Sequence, residues 1–540
     1  MSMKSKWMEM DVDENISQKT DNEKVNGSIV DTRVPGSIED VTETVRDEDN
    51  TVLNVMNTDG FRRCGKEMVD YIADYIDTVG SRNVNPSVEP GYMKRLVPST
   101  APETGEKWED VISDIERVIM PGMLHWHSPH FHGYVTAGSS FPSICADMLS
   151  DAFGCIGFSW AASPACTELE VIVTDWLAKM LHLPDVFMST GKGGGVIQGA
   201  TSSSTFLALL AARNKTMNKL RGEMADTSDD AIMSKLVAYC SRQAHMSVER
   251  ACRLAAVQLV KVFTDDNESM RGERLSDAIQ ADRAKGLIPF YVCGTLGTTS
   301  SCAFDNLAEI GPVCTKYDIW LHIDAAFAGS AFICPEYRHH LNGVEHAMTF
   351  SFNPHKWLLT NFDCATMWIQ DSAYLVDAFR AHHAPYMEHH FEQEGPDFMN
   401  WDIPMGRRFR ALKLWFVMRM YGVKGLQKYI RRHVRLGNYF TDLVRSDDRF
   451  ELPKPINMSV VCFRLKGSNA LNQELTQHIR LDGRIHISPS VIKGQFLPRF
   501  VPGTWKTTEA DVLFAWNVIT EIANKLLSQS ANEKMENGHQ

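Results

Sequence analysis

The chain has 540 residues, 44% of them hydrophobic and 23% charged, with a formal net charge of −12; that length builds two or three domains with large cores, and the acidic balance excludes a basic nucleic-acid face. No apolar run reaches the roughly 18 residues that a membrane span needs, and the amino terminus, MSMKSKWMEMDVDENIS, lacks the apolar core of a signal peptide. The twelve cysteines are scattered with no CxxC pair, which reads as the reduced, packed thiols of a cytoplasmic protein and not as a disulfide framework or zinc site.

In chain order, residues 1–55 are polar, acidic and nearly free of aromatics, the composition of a disordered leader. Met68, Ile72, Tyr75 and Ile76 then recur on one face of FRRCGKEMVDYIADYIDTV, predicting an amphipathic helix from Gly60. After a stretch broken by Pro86, Pro90 and Pro98, a second such helix is expected around Trp108 to Ile119. From residue 165 the pattern alternates. LEVIVTDWLAKML reads as a helix, while VAYCS, PFYVCGTLG and IWLHIDAAF are short apolar runs suited to parallel strands buried on both faces. The helical stretches between them imply crossover units and an α/β sheet. Beyond Pro404, ALKLWFVMRMYG predicts a helix closed by Gly422. The strand SVVCFRL, a final helix and a polar, frayed end follow, the content of a smaller α+β domain.

The chemistry concentrates near the middle. In HIDAAFAGSAF, Asp324 ends an apolar strand; in NPHKW, Lys356 lies beside His355 in a polar turn. Such a pair is how a protein holds pyridoxal phosphate. The lysine can form a Schiff base with the cofactor aldehyde, and the acid can pair with the pyridine nitrogen and keep the ring protonated as an electron sink. Upstream, GKGGGVIQGATSSSTFLALLAARNK sets glycines at 191 and 193–195 before Thr201 and Ser202, which open an alanine- and leucine-rich helix. A tight glycine turn, with the N–H groups and hydroxyls of a helix N-terminus, suits a phosphate. The segment is not a P-loop and lacks a complete GxGxxG, so a monophosphate is the better fit. Standing alone, it would read as a flexible loop with an ordinary cap.

His245 in CSRQAHMSVERA follows one expected strand, and Thr298 and Thr299 in GTLGTTSSCAF follow another. A lone histidine is more often structural. Here it gains weight from its companions, because open α/β sheets place ligands at the carboxyl ends of their strands, where all these residues fall. His125, His127, His130 and His132 crowd into HWHSPHFHGY and suggest a metal, but no carboxylate or cysteine completes a familiar ligand set. They are read as a polar loop whose histidines hydrogen-bond locally, with no metal site.

Together these pieces resemble the group II pyridoxal-phosphate decarboxylases of aromatic amino acids. The resemblance runs from Gly60 to Leu527 and rests on GFSWAASPACTELE, GGGVIQGA, HIDAAFAGSAFICPEYRH, FNPHKWLL, NFDC and GRRFRALKLWF. It implies the aspartate-aminotransferase-like (fold type I) α/β fold with a mainly parallel seven-stranded sheet. Residues 56–140 are then a helical dimerisation segment, 141–413 a large cofactor-binding domain, 414–528 a small α+β domain and 529–540 a polar tail. It also implies a homodimer with active sites shared across the interface. Carried over by motif, Lys356 holds the cofactor, Asp324 pairs with its ring nitrogen, and His245 stacks on the ring and helps bind the substrate carboxylate. Thr201, Ser202, Asn353 and His355 hold the phosphate, Ala326 packs beneath the ring, and Thr299 supports the site. Trp126, Tyr134 and Val135 face the substrate, with Ile156 and Phe158 reaching over from the other subunit, and Gly406 leaves room for a phenol or catechol ring. Tyr386 in AHHAPYMEHH matches the tyrosine that protonates the substrate Cα.

The resemblance has gaps. The family's Asp-Pro-x-Tyr-Leu-Lys becomes His383-Ala384-Pro385-Tyr386-Met387-Glu388, and Val135, Thr136 and Ala137 stand where Phe-Pro-Thr is usual. Met246 replaces a serine and Phe327 a tyrosine. The implied activity is decarboxylation of dopa, 5-hydroxytryptophan or a close relative to the monoamine. Three rivals stand beside it. An aromatic acetaldehyde synthase would deaminate oxidatively, releasing ammonia and hydrogen peroxide; the insect-type synthases generally carry asparagine at the position of His245. A histidine decarboxylase would carry serine at Gly406. A cofactor-binding paralogue with a regulatory role would not need to retain Lys356, Asp324 and His245.

Overall fold

The computed structural model describes residues 56–135, 137–224, 226–380 and 395–537, with side chains as far as 529. The chain divides into two compact units, Met1–Val69 and Asp70–Gln540. Of the first, the described residues form the opening turns of helix α1 (Thr58–Thr78), whose apolar positions recur three and four residues apart.

In the second unit, α2 (Trp108–Asp114) passes into a π-helical turn over Ile115–Ile119, covering the expected second helix. β1 (Phe131–His132), α3 (Phe141–Phe153) and α4 (Pro164–Leu181) lead into alternating strands and helices, with one extra short helix over Asp229–Met233. These are β2 (Gly194–Gln198), α5 (Thr201–Glu223), β3 (Leu236–Ser241), α6 (Met246–Leu254), β4 (Gln258–Val262), α7 (Gly272–Ala284) and β5 (Ile288–Thr295). After α8 (Leu307–Lys316) come β6 (Trp320–Asp324), β7 (Thr349–Phe352), the short α9 (Pro354–Trp357) and β8 (Ala365–Ile369).

The strands form one seven-stranded sheet in the order β2-β8-β7-β6-β5-β3-β4. Neighbours from β4 to β7 are parallel, whereas β8 runs against both β7 and β2. Because β8 reverses twice, β2 points the same way as β7. The C-termini of β2, β3, β5, β6 and β7 therefore line one edge.

Alternation explains why these runs are apolar throughout. Val237 and Tyr239 face a core shared with α4 and α7, while Leu236, Ala238 and Cys240 face one shared with α5 and α6. The twelve cysteines stand as free thiols, ten of them buried.

The long helix α10 (Arg410–Arg445) is interrupted at Gly422, where φ is 62° and ψ 171°. The expected stop is therefore a break. The helix resumes because Leu426, Ile430 and Leu436 renew its buried face. A small sheet follows in the order β1-β10-β11-β9, made of β9 (Val461–Cys462), β10 (His486–Ile492) and β11 (Gln495–Phe500). Helix α11 (Asn469–Asp482) packs on it. β1 joins this sheet from far earlier in the chain, pairing Phe131 with His486 in parallel. The closing helix α12 (Glu509–Asn537) enters the tail that was expected to fray, since no glycine or proline breaks the sequence before Gly538. Among the described residues no helix is long and apolar enough to cross a membrane.

Candidate active site

Five strand ends deliver the residues singled out by sequence to one edge of the large sheet. After β2, Gly199 and Ala200 turn the chain into α5, whose first residue, Thr201, donates its backbone N–H (3.1 Å) and its hydroxyl (2.5 Å) to Asn353 Oδ1. Asn353 follows β7, so one side chain ties two strand-end turns together. After β6, Asp324 Oδ1 accepts the Ala326 N–H at 3.0 Å, and the Ala326 carbonyl accepts from the Asn353 N–H at 3.0 Å. His355 is buried, and its Nδ1 accepts the Cys364 N–H at 2.9 Å. Lys356, half-buried, stands on the single turn of α9. After β3, His245 caps α6: its Nδ1 lies 3.2 Å from the Ser247 N–H, which it accepts, and 2.9 Å from Ser247 Oγ.

The charges at this edge act on one another. Burial pushes the Asp324 carboxyl above its ordinary pKa, against Lys356, the Ala326 N–H and His245. Burial holds the Lys356 amine below its ordinary value; Asp324 opposes this and Arg499 reinforces it. Protein crowded around His245 lowers its pKa too, with Asp324 opposing and Lys356 adding to the effect; its outer face is nonetheless exposed. His355 falls to about 3, mainly through burial, and is neutral at physiological pH. Among the described residues Asp324 has no ion pair within salt-bridge distance, and its one close donor is a backbone N–H. A buried acid in that state has no counter-charge in direct contact. A protonated pyridine nitrogen would supply one, and a lysine with a depressed pKa is the matching nucleophile for an aldehyde. The residues present therefore fit pyridoxal phosphate.

Several expectations change on the structure. The glycines at 191 and 193–195 lie at the opposite end of β2 from Thr201 and do not form the turn at the site edge. They serve packing: a Cβ at Gly193 would lie 2.1 Å from the Val186 carbonyl oxygen, and one at Gly195 would lie 2.5 Å from Thr174 Cβ. Gly199 occupies the site turn instead, where a Cβ would come within 3.2 Å of Asp363 Oδ2. Ser202 and Thr299 are exposed. The buried threonine of that pair is Thr298, whose hydroxyl oxygen accepts the Ala303 N–H at 3.0 Å. Tyr386 and Thr136 lie outside the described residues.

The histidine-rich segment is dispersed among separate partners. His125 Nδ1 lies 2.9 Å from the Tyr75 hydroxyl, and His130 Nε2 lies 3.2 Å from Asp511. His132 stacks on Phe500 at 4.3 Å and makes no side-chain hydrogen bond among the described residues, an exception to the local bonding expected.

The residues of the expected substrate wall form two groups. Trp126 and Tyr134 stack at 5.1 Å, and Tyr134 stacks again on His486 at 5.4 Å, with Val135 packed against the main core. Tyr134 is 47% exposed. The second group holds Ile156, Phe158 and Gly406. A Cβ at Gly406 would lie 3.4 Å from Ile156 Cγ2, the Gly157 N–H donates to the Arg407 carbonyl at 3.0 Å, and the Phe158 carbonyl accepts from Met399. Arg407 is anchored by Glu170 at 2.5 Å. Two residues that sequence did not single out, Ser488 and Arg499, bind the backbone of Tyr134 from the small sheet. An arginine inside QFLPRF belongs to no motif, so only the strand pairing reveals it.

Known proteins resemble this chain in sequence and in fold. The aromatic-L-amino-acid decarboxylase of Mus musculus is 54% identical over 476 residues, 87% of this chain and 99% of its own length. The crystal structure of Oryza sativa TDC with PLP and tryptamine matches with a TM-score of 0.84 at 37% identity, covering 87% of this chain and 99% of that one. That of Rhodiola rosea 4-hydroxyphenylacetaldehyde synthase matches with a TM-score of 0.82 at 37% identity, with the same shares covered. The family model of the pyridoxal-dependent decarboxylase conserved domain matches residues 90–466. With that span and that identity, the chain belongs to the pyridoxal-dependent decarboxylases.

Proposed function

We propose that this protein is a homodimeric cytoplasmic decarboxylase that converts an aromatic L-amino acid, of the dopa or 5-hydroxytryptophan type, to its monoamine and carbon dioxide. The observation that carries the reading is the buried Asp324, with no cation in direct contact among the described residues, close to a Lys356 amine of depressed pKa. The aromatic-L-amino-acid decarboxylase of Mus musculus, over half identical, supports the substrate class.

Pyridoxal phosphate, when bound, supplies a covalent attachment point for an amine and a cationic ring that accepts the electron pair left as the carboxylate departs. Lys356 would hold it. Asp324 would keep the proton on the ring nitrogen, a task that favours an ionised, buried carboxylate over a solvated one. The N-terminus of α5, with Thr201, Asn353 and His355 around it, would hold the phosphate. His245 Nδ1 accepts the Ser247 N–H, which puts the neutral ring's proton on Nε2. That N–H is a donor for the substrate carboxylate. Tyr386 would return a proton to Cα.

A second copy of the chain fits the apolar residues left open. On α3, Phe141, Met148, Leu149 and Phe153 are exposed, and Ile156 beyond it is 60% exposed. A patch of that kind marks an association surface, and it runs directly into the group of Ile156, Phe158 and Gly406 that would close the neighbouring site.

The aldehyde-forming alternative is favoured by the altered residues around Tyr386 and by the likeness to the Rhodiola rosea synthase. Without a timely proton donor, oxygen would compete with protonation at Cα. His245 argues for simple decarboxylation. The test incubates the cofactor-loaded protein in air with L-dopa, L-5-hydroxytryptophan, L-tryptophan, L-tyrosine and L-histidine, quantifying amine, aldehyde, carbon dioxide and peroxide. Amine equal to carbon dioxide without peroxide is expected. Aldehyde matched by peroxide would replace the reading with the synthase.

A further inference from the structure

The hairpin β10–β11 grips the site loops through two residues that face each other. Ser488 and Arg499 are register partners. Ser488 Oγ accepts the Tyr134 N–H at 2.6 Å, and Arg499 Nη2 donates to the Tyr134 carbonyl at 2.9 Å. The same guanidinium donates through Nη1 to the Thr299 carbonyl. One residue on, Ser300 is held as well: its carbonyl accepts from Ser490 Oγ at 3.1 Å, and its hydroxyl donates to Gln243 at 2.7 Å, two residues before His245.

Tyr134 needs such a grip. Its φ is 51°, a left-handed conformation that a tyrosine adopts only when its surroundings over-determine it. Its ring stays 47% exposed, stacked between Trp126 and His486. Arg499 is suited to the task because its rigid planar fork serves two carbonyls on different segments at once from separate nitrogens, a geometry that a lysine's single ammonium does not fix. It is 4% exposed, and its Nε lacks a hydrogen-bond partner among the described residues. Its charge is felt at Lys356.

We propose that Arg499, with Ser488 opposite it, is a positioning residue that locks Tyr134 and Thr299 into one rigid wall of the substrate pocket. The assignment rests on the decarboxylase reading in taking Tyr134 as a substrate contact. The wall acts on substrate placement and leaves cofactor capture to the large sheet.

The test compares wild type, Arg499→Lys and Ser488→Ala by steady-state kinetics, cofactor titration and backbone hydrogen exchange over residues 131–135. Arg499→Lys keeps the charge and removes the fork; KM is expected to rise about tenfold with kcat changed less than about threefold. Exchange over 131–135 speeds up, and cofactor affinity stays within about twofold of wild type. Ser488→Ala gives the same pattern at about a third of the size. Wild-type KM and exchange in Arg499→Lys would overturn the proposal. So would loss of cofactor binding with KM unchanged. If Arg499→Lys fails to fold, Ser488→Ala decides alone: raised KM with faster exchange supports the clamp, and wild-type values for both refute it. A wild-type protein that turns over no aromatic amino acid would defeat the decarboxylase reading, while exchange would still read the clamp.

Discussion

Two buried acids in this molecule live under opposite terms. Glu170 is 1% exposed and brings its own partners: Oε1 accepts the Ile197 N–H at 2.7 Å and Arg407 Nη2 at 2.5 Å, and Arg407 also reaches the Ile197 carbonyl and Asp402. Asp324 is 3% exposed and receives one backbone N–H from the described residues. The first acid closes a network that pins the Gly406 segment to β2. The second has no cation in direct contact among the described residues, and burial raises its pKa against the opposing Lys356 and His245. A structural acid is satisfied by its own chain; an acid awaiting a ligand is not.

The comparison breaks most sharply at the lysine. Lys356→Arg removes the nucleophile, and kcat is expected to fall by about 10³-fold or more. Borohydride reduction of the loaded protein followed by peptide mass mapping should place the cofactor on Lys356 in wild type and nowhere in the variant.

Arg407→Met leaves Glu170 buried and unpaired, and urea unfolding should show a loss of about 3–5 kcal/mol. The double variant Glu170→Leu with Arg407→Met recovers part of it, because Glu170 is then no longer stranded and only Asp402 has lost its partner.

Asp324→Asn should behave in the opposite sense. Activity falls by about 10²-fold or more, yet the cofactor-free protein is no less stable than wild type, because an unpaired buried charge has been removed. Its pH dependence has a definite sign. The folded-state pKa of Asp324 is raised, so the folded protein keeps the proton that the unfolded chain has already lost. Stability of the cofactor-free protein therefore declines as pH rises from about 4 through that raised value. The difference between wild type and Asp324→Asn isolates this slope from that of Asp305, whose carboxyl burial raises to about 7.

The smallest effect is at Gly406→Ser. A Cβ there meets Ile156 at ordinary contact distance, so folding is unchanged, and preference among ring sizes shifts by about 1 kcal/mol, read as the ratio of kcat/KM for L-dopa and L-histidine.

Much of this was legible in the amino-acid order. Lys356, Asp324 and His245 stand at strand ends, and an apolar run followed by a polar turn marks such ends directly. The alternation of buried runs with helices likewise predicts the sheet. The glycines before β2 misled because spacing alone does not say which end of a strand faces a ligand. Gly199, inconspicuous in VIQGATS, holds the turn that they were expected to form. Which hydroxyl of Thr298 and Thr299 is buried was not legible for a similar reason: only the bend after β5 turns Thr298 inward. The grip of Ser488 and Arg499 on Tyr134 depends on β1 pairing with a hairpin more than 350 residues away (the Tyr134–Ser488 separation is 354), and no local pattern records that.

The most direct test is the protonation state of the cofactor ring. Protein loaded with pyridoxal phosphate labelled with ¹⁵N in the pyridine ring should give, at neutral pH, the chemical shift of a protonated nitrogen, and Asp324→Asn should give that of an unprotonated one. The same unprotonated shift in both proteins, or a protonated shift that survives Asp324→Asn, would contradict the claim that Asp324 awaits the cofactor as its counter-charge.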